Sequence, residues 1–241
     1  MLAAIWQVSY AAANERPRLA IIIDDLGNVM PAGQRTVNLS GPVACAILPH
    51  TPYAASIAEQ ARSAGKEVLL HLPLQPIAEI LPLGMGSIDI DNTHRQLAVI
   101  LSANLASVPN AVGVNTHMGS LLTQHPGHMA WLMDELRARG GLFFVDSYTT
   151  ASSVALRLAR EAGVPATRRD VFLDNVADPR EVDKEFSRLK HLARLHGSAV
   201  AIGHPYDVTL EYLETALPRL SAEGFELVPV AALIRDQEAG R

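Results

Sequence analysis

Short, continuous apolar runs alternate along this chain with longer segments of mixed polarity. The runs place predicted strands at roughly 18–24, 42–48, 67–72, 111–115, 142–146, 171–173, 198–203 and 225–230. They show no period-two alternation, which is the pattern of strands buried on both faces. Between them the periodicity predicts helices over 51–64, 92–107, 126–139, 152–162, 179–196 and 208–223, with Pro218 kinking the last. Gly65, Gly140, Gly163, Gly197 and Gly224 stand just past these helices, where a left-handed cap favours glycine. Strands spaced by helices of this length imply a parallel α/β sheet with right-handed crossovers. One stretch breaks the pattern. Residues 73–92 carry Pro73, Pro76, Pro82, Gly84 and Gly86 with no period, so a long loop is expected, lying over the strand ends and shaping a cleft.

In parallel α/β folds, ligands bind at the carboxyl ends of the strands. Here those ends carry Asp24-Asp25, His50, His71, Asn115 to His117, Asp146-Ser147, Asp174-Asn175 and His204; the eighth ends in Pro229 with no titratable group. Adjacent carboxylates at the end of a buried strand are costly unless a cation or dense hydrogen bonding compensates. Carboxylate oxygen with imidazole nitrogen is the ligand set of Zn²⁺ or a similar divalent ion. Asp25, His71 and His117 supply three such ligands from three strands and leave a position for water. Asp24 is then free as general base, His204 as proton donor to a leaving group, and Asp146 as the carboxylate that holds a histidine in its working tautomer. Plainer readings stand beside these. One of Asp24 and Asp25 can cap the turn at Asn28, His71 can be a satisfied core histidine, and Asp174 can start a turn. His50 is read as part of the following helix start, His125 and His128 as surface groups, and His94, His191 and His196 as solvent-facing.

Composition narrows the function classes. The chain has 241 residues, 49% of them hydrophobic, enough for one sizeable core, and residues 17–241 are read as a single domain. A net charge of −5 argues against nucleic acid as a partner, since such binders carry a basic face. The single cysteine, Cys45, excludes an intrachain disulfide and reads as a small buried hydrophobe. No run approaches 18 apolar residues, so no membrane-spanning helix is expected. Residues 1–16 end their apolar part in Ala11-Ala12-Ala13, which fits either the remnant of an export signal or an amphipathic helix. The first implies a periplasmic or exported protein, the second allows a cytoplasmic one. Oligomeric state is open.

The motifs taken together resemble the divergent polysaccharide deacetylases. The matching stretches are Ile21 to Gly27, Glu67 to Pro73, Val112 to Ser120, Gly141 to Ser147, Asp170 to Asp174 and Ala201 to Pro205, spread over about residues 17–235. The resemblance implies a distorted (β/α) barrel of about seven parallel strands. It implies a metal-dependent hydrolase, with zinc as the ion, that removes acetyl from an N-acetylated sugar. It maps the metal-binding aspartate onto Asp25, the base onto Asp24 and the acid onto His204. Deacetylases of this kind use two histidines spaced four apart; here the first is His71 and the second place holds Gln75, which leaves His117 to complete the set. The alternative it leaves is a non-catalytic glycan- or envelope-binding module that keeps the metal site. Aromatic residues are only 5% of the chain, which favours a short or different substrate over a long glycan.

Overall fold

The computed structural model describes residues 16–78 and 83–240. Among the described residues nine parallel strands make one sheet: β1 Arg18–Leu26, β2 Ala44–Ile47, β3 Val68–Leu74, β4 Ala111–Met118, β5 Phe143–Asp146, β6 Ala166–Arg168, β7 Val171–Phe172, β8 Ser198–Gly203 and β9 Glu226–Leu227. Their order is β6-β5-β4-β3-β2-β1-β8-β7, with β9 pairing β1 at its start. β6 and β7 stand at opposite ends of that order, yet only Arg169 and Asp170 separate them in sequence. The sheet therefore curls round on itself into a distorted (β/α) barrel, as expected. The helices are α1 Met30–Val37, α2 Ala54–Ser63, α3 His94–Ser107, α4 Pro126–Arg139, α5 Ala155–Glu161, α6 Pro179–His196, α7 Asp207–Ala216 and α8 Val230–Ala239. Among the described residues no helix is long and apolar enough to cross a membrane. Residues 1–15, most of the segment read as a signal remnant or helix, lie outside the described residues.

Two layers of apolar side chains hold the barrel. Leu19, Ile21 and Ile23 of β1 pack outward against the helices, with Phe144 of β5 in the same cluster. Ala20 and Ile22, with Ala44 and Ala46, Leu69, Phe143 and Val145, and Val200 and Ile202, form the interior. Val230, Leu233 and Ile234 of α8 join that inner cluster and close it at the amino-terminal end. Gly113 lies against this packing: a Cβ there would meet the Phe143 ring at 2.5 Å. Because both faces are buried, the strands read as plain apolar runs, and which alternate residues point inward is set only by the closed sheet.

Several elements differ from expectation. β3 and β4 run to Leu74 and Met118, so His71 lies within its strand rather than at the end. α1 was not foreseen, nor β6. The predicted strand 225–230 is reduced to β9, and the chain turns at Pro229 into α8. The run Val228-Pro229-Val230 looked like a strand locally. What decides for helix is Glu67, whose carboxylate accepts the Val230 and Ala231 amides at 2.6 and 3.0 Å from 163 and 164 residues away. The segment after β3 returns to the strand's carboxyl end, where Leu74 bridges Ile88 and the side-chain oxygen of Gln75 accepts from the Ile90 amide at 2.9 Å. It also packs against α3, where Asn104 donates to the Gly86 carbonyl. Residues 79–82 of that segment lie outside the described residues.

Candidate metal centre

The inward alternation delivers the site. Above the apolar interior, β1 continues Ala20, Ile22 with Asp24; β3 continues Leu69 with His71; β4 presents Asn115 and His117; β8 is followed by His204. Asp25 follows Asp24 directly and would face outward in a regular strand. The β1–β2 register shifts between Ile23 and Leu26, and Asp25 has φ of 55°. The bulge turns Asp25 back toward the barrel, so two consecutive aspartates serve one site. A non-glycine residue in this conformation is strained, and such strain gathers at functional sites.

Three ligand-type atoms converge. Asp25 Oδ1 lies 3.1 Å from His71 Nε2 and 3.0 Å from His117 Nδ1, and the two ring nitrogens are 3.1 Å apart. Asp25 Oδ1 is buried and has no hydrogen-bond partner: both imidazoles are close, but neither aims an N–H at it. An orphaned carboxylate oxygen beside two converging ring nitrogens fits a divalent cation. Zinc bonds of about 2.0–2.2 Å set tetrahedral ligand atoms roughly 3.4 Å apart, so the triangle needs to open only slightly. Burial opposes ionisation of Asp25, yet the neighbouring His117 and His71 rings hold its carboxyl well below the usual carboxylate range. The triad is thus a candidate metal site, made of an anionic oxygen and two nitrogens.

Asp24 stands behind it, buried, with Oδ1 accepting from Asn115 Nδ2 at 2.7 Å and Oδ2 3.5 Å from His71 Nε2. Burial pushes its carboxyl up, against the pull of His71. His204 faces the triad from the far side, its Nε2 3.9 Å from Asp25 Oδ2. Its Nδ1–H donates to Asp174 Oδ1 at 2.8 Å; Asp174 Oδ2 also accepts the His204 amide at 2.6 Å and the Thr209 hydroxyl at 2.7 Å. Burial drives His204 down, but the bond to Asp174 and the carboxylates of Asp24 and Asp25 carry it up to about 9. The rings of Phe172 and Tyr206 flank it at 5.8 and 5.5 Å.

Asp146, expected to orient a histidine, has other partners. It shares the outward face of β5 with Phe144, and its oxygens accept from the Tyr148 amide at 2.9 Å and the Ser153 hydroxyl at 2.7 Å. The carboxylate that holds His204 is Asp174. His128 is buried rather than on the surface, its Nδ1 3.0 Å from His125 Nδ1 and its Nε2 donating to the Asn92 carbonyl. His50 is engaged with Asn104 at 2.9 Å. Three residues were not given roles from sequence. Asn115 bridges Asp24 and His71. Arg169 donates to the Ser147 and Tyr148 carbonyls and lies 3.7 Å over the Phe172 ring, and burial pulls its guanidinium down to about 10. Ser147, two residues past the inward-facing Val145, has a buried hydroxyl with no partner. Only its place at a strand end could have flagged it.

The sequence profile for divergent polysaccharide deacetylases matches residues 21–234. An uncharacterised protein of Haemophilus influenzae is 36% identical over 227 residues, which cover 92% of this chain and 78% of that one. The crystal structure of ATU2773 from Agrobacterium tumefaciens superposes with a TM-score of 0.87 at 22% identity, covering 92% of this chain and 91% of that one. A mutant of BA3943, a CE4-family pseudoenzyme from Bacillus anthracis, with restored enzymatic activity, shares the fold at a TM-score of 0.57 and 14% identity, covering 91% and 68%.

Proposed function

The chain belongs to the divergent polysaccharide deacetylase family, and from that premise we propose that it is a metal-dependent hydrolase that removes acetyl from an N-acetylated sugar. The observation that carries this reading is the orphaned Asp25 oxygen among His71 and His117, with a buried carboxylate on one side and a carboxylate-held histidine on the other. Asp25, His71 and His117 would hold the ion. A divalent ion bound there supplies polarisation of the amide carbonyl and a more acidic water.

The chain's own groups do the proton work. Asp24, raised by burial, takes the proton of the attacking water; a base whose pKa approaches the working pH is the more effective. His204 keeps its proton at neutral pH and delivers it from Nε2 to the departing amine, while Asp174 fixes the ring through Nδ1. Tyr206, 47% exposed beside His204, offers a ring face to the sugar. The test combines metal analysis with acetate release from short N-acetylglucosamine oligomers. Wild-type protein should hold one zinc and release acetate. Asp24→Asn and His204→Ala should keep the zinc and lose about 10²–10⁴-fold in rate, whereas His117→Ala should lose the zinc. Zinc-loaded wild type that releases no acetate from any acetylated sugar would turn the assignment to a glycan-binding module.

A further inference from the structure

Asn115 touches both halves of the site. It lies directly opposite His71 in the β3–β4 register, and Asn115, His71 and Asp24 are all buried. Its Nδ2 is 2.7 Å from Asp24 Oδ1, and its Oδ1 is 3.0 Å from His71 Nδ1. The direction of each bond follows from which atoms carry hydrogen. An ionised carboxylate accepts only, so the amide NH₂ faces Asp24. The amide oxygen also accepts only, so His71 Nδ1 carries the hydrogen. A neutral imidazole has one N–H, which leaves Nε2 with its lone pair. Nε2 is the atom that meets Asp25 Oδ1 and His117 Nδ1 at 3.1 Å. The opposite orientation of the amide would require a proton on Asp24 and would place the histidine hydrogen on Nε2, blocking ligation.

We infer that Asn115 is a positioning residue that couples the base to the metal ligand: one amide sets the His71 tautomer and the aim of the Asp24 carboxylate together. This rests on the metal-dependent reading above. A side chain that only filled space would leave tautomer and metal affinity alone.

The experiment measures zinc affinity by competition with a chromophoric chelator, acetate release, and imidazole protonation by ¹H–¹⁵N NMR, on wild type, Asn115→Ala and Asn115→Asp. Wild type should show hydrogen on His71 Nδ1. Asn115→Ala loses both bonds and should bind zinc about 10–100-fold more weakly. Asn115→Asp keeps the acceptor for His71 and should stay within about threefold in zinc affinity, the supporting carboxylate being a common partner of ligating histidines. It sets a second carboxyl oxygen against Asp24 in place of the amide donor, so the two must share a proton and Asp24 is a poorer base; acetate release should fall by at least about tenfold. Hydrogen on His71 Nε2 and none on Nδ1 in wild type, unchanged zinc affinity in Asn115→Ala, or equal zinc loss in both variants would overturn the inference. Should Asn115→Ala fail to fold, the wild-type NMR result and Asn115→Asp still decide. Wild type that binds no zinc defeats the metal reading instead; the His71–Asn115 bond is then judged from the same NMR signal in metal-free protein.

Discussion

At the scale of single residues, the site is governed by which buried polar atoms are answered and which are not. Asp174 accepts three bonds, whereas Asp25 Oδ1 and Ser147 Oγ accept none. Ser147→Ala should therefore leave stability unchanged or raise it by up to about 1 kcal/mol, because an unsatisfied buried hydroxyl is removed. If that hydroxyl meets substrate, KM or kcat will suffer while the melting temperature holds; a clear loss of stability would show that it has a partner. His204 gives a pH dependence with a definite sign. Its folded value of about 9 lies above the ordinary 6.5, so between these values the folded protein binds more protons than the unfolded chain. Its contribution is complete below pH 6.5 and is lost as pH rises through 9, at most roughly 3–4 kcal/mol. Urea titrations of metal-free protein should show stability falling over that window, and Asp174→Asn should flatten the slope. An equal slope in the variant would place the effect elsewhere.

At the scale of elements, two local irregularities do specific tasks. The β1 bulge puts Asp24 and Asp25 into one cavity, which a regular strand cannot do. Gly27 just beyond it, at φ of 118°, allows the chain to pass Thr51: a Cβ there would fall 2.0 Å from the Thr51 hydroxyl. The second is the start of α8, which no side chain of its own caps. Glu67 reaches there from the start of β3 and satisfies two amides. Glu67→Ala should cost about 1–2 kcal/mol, a fall of roughly 2–8 °C in melting temperature for a chain of this size. Glu67→Gln, which keeps an accepting oxygen, should recover part of it. A melting temperature within a degree of wild type in Glu67→Ala would mean that α8 is held by its apolar face alone.

At the scale of the whole molecule, the barrel brings β1, β3, β4 and β8 around one point, and a ligand there should tie the fold together. Zinc at a hundred times its dissociation constant should stabilise by about 2.7 kcal/mol, a rise of roughly 5–10 °C. A chelator should reverse the rise, and His117→Ala should not show it. The sequence by itself determined the alternation of strand and helix, the parallel pairing of the strands, and the residue types at the strand ends, because those follow from local periodicity and glycine stops; the barrel was implied only by the family resemblance. It grouped Asp25, His71 and His117, but did not pair Asn115 with Asp24 and His71, or Asp174 with His204. Strands buried on both faces carry no alternating pattern, so nothing local distinguished the inward His71 and Asn115 from the outward Asp146. Asn115, Asp174 and Glu67 act on partners 44 or 91, 30 and 163 positions away. Those pairings exist only once the sheet has closed, because closure fixes strand order, register and the face each side chain shows.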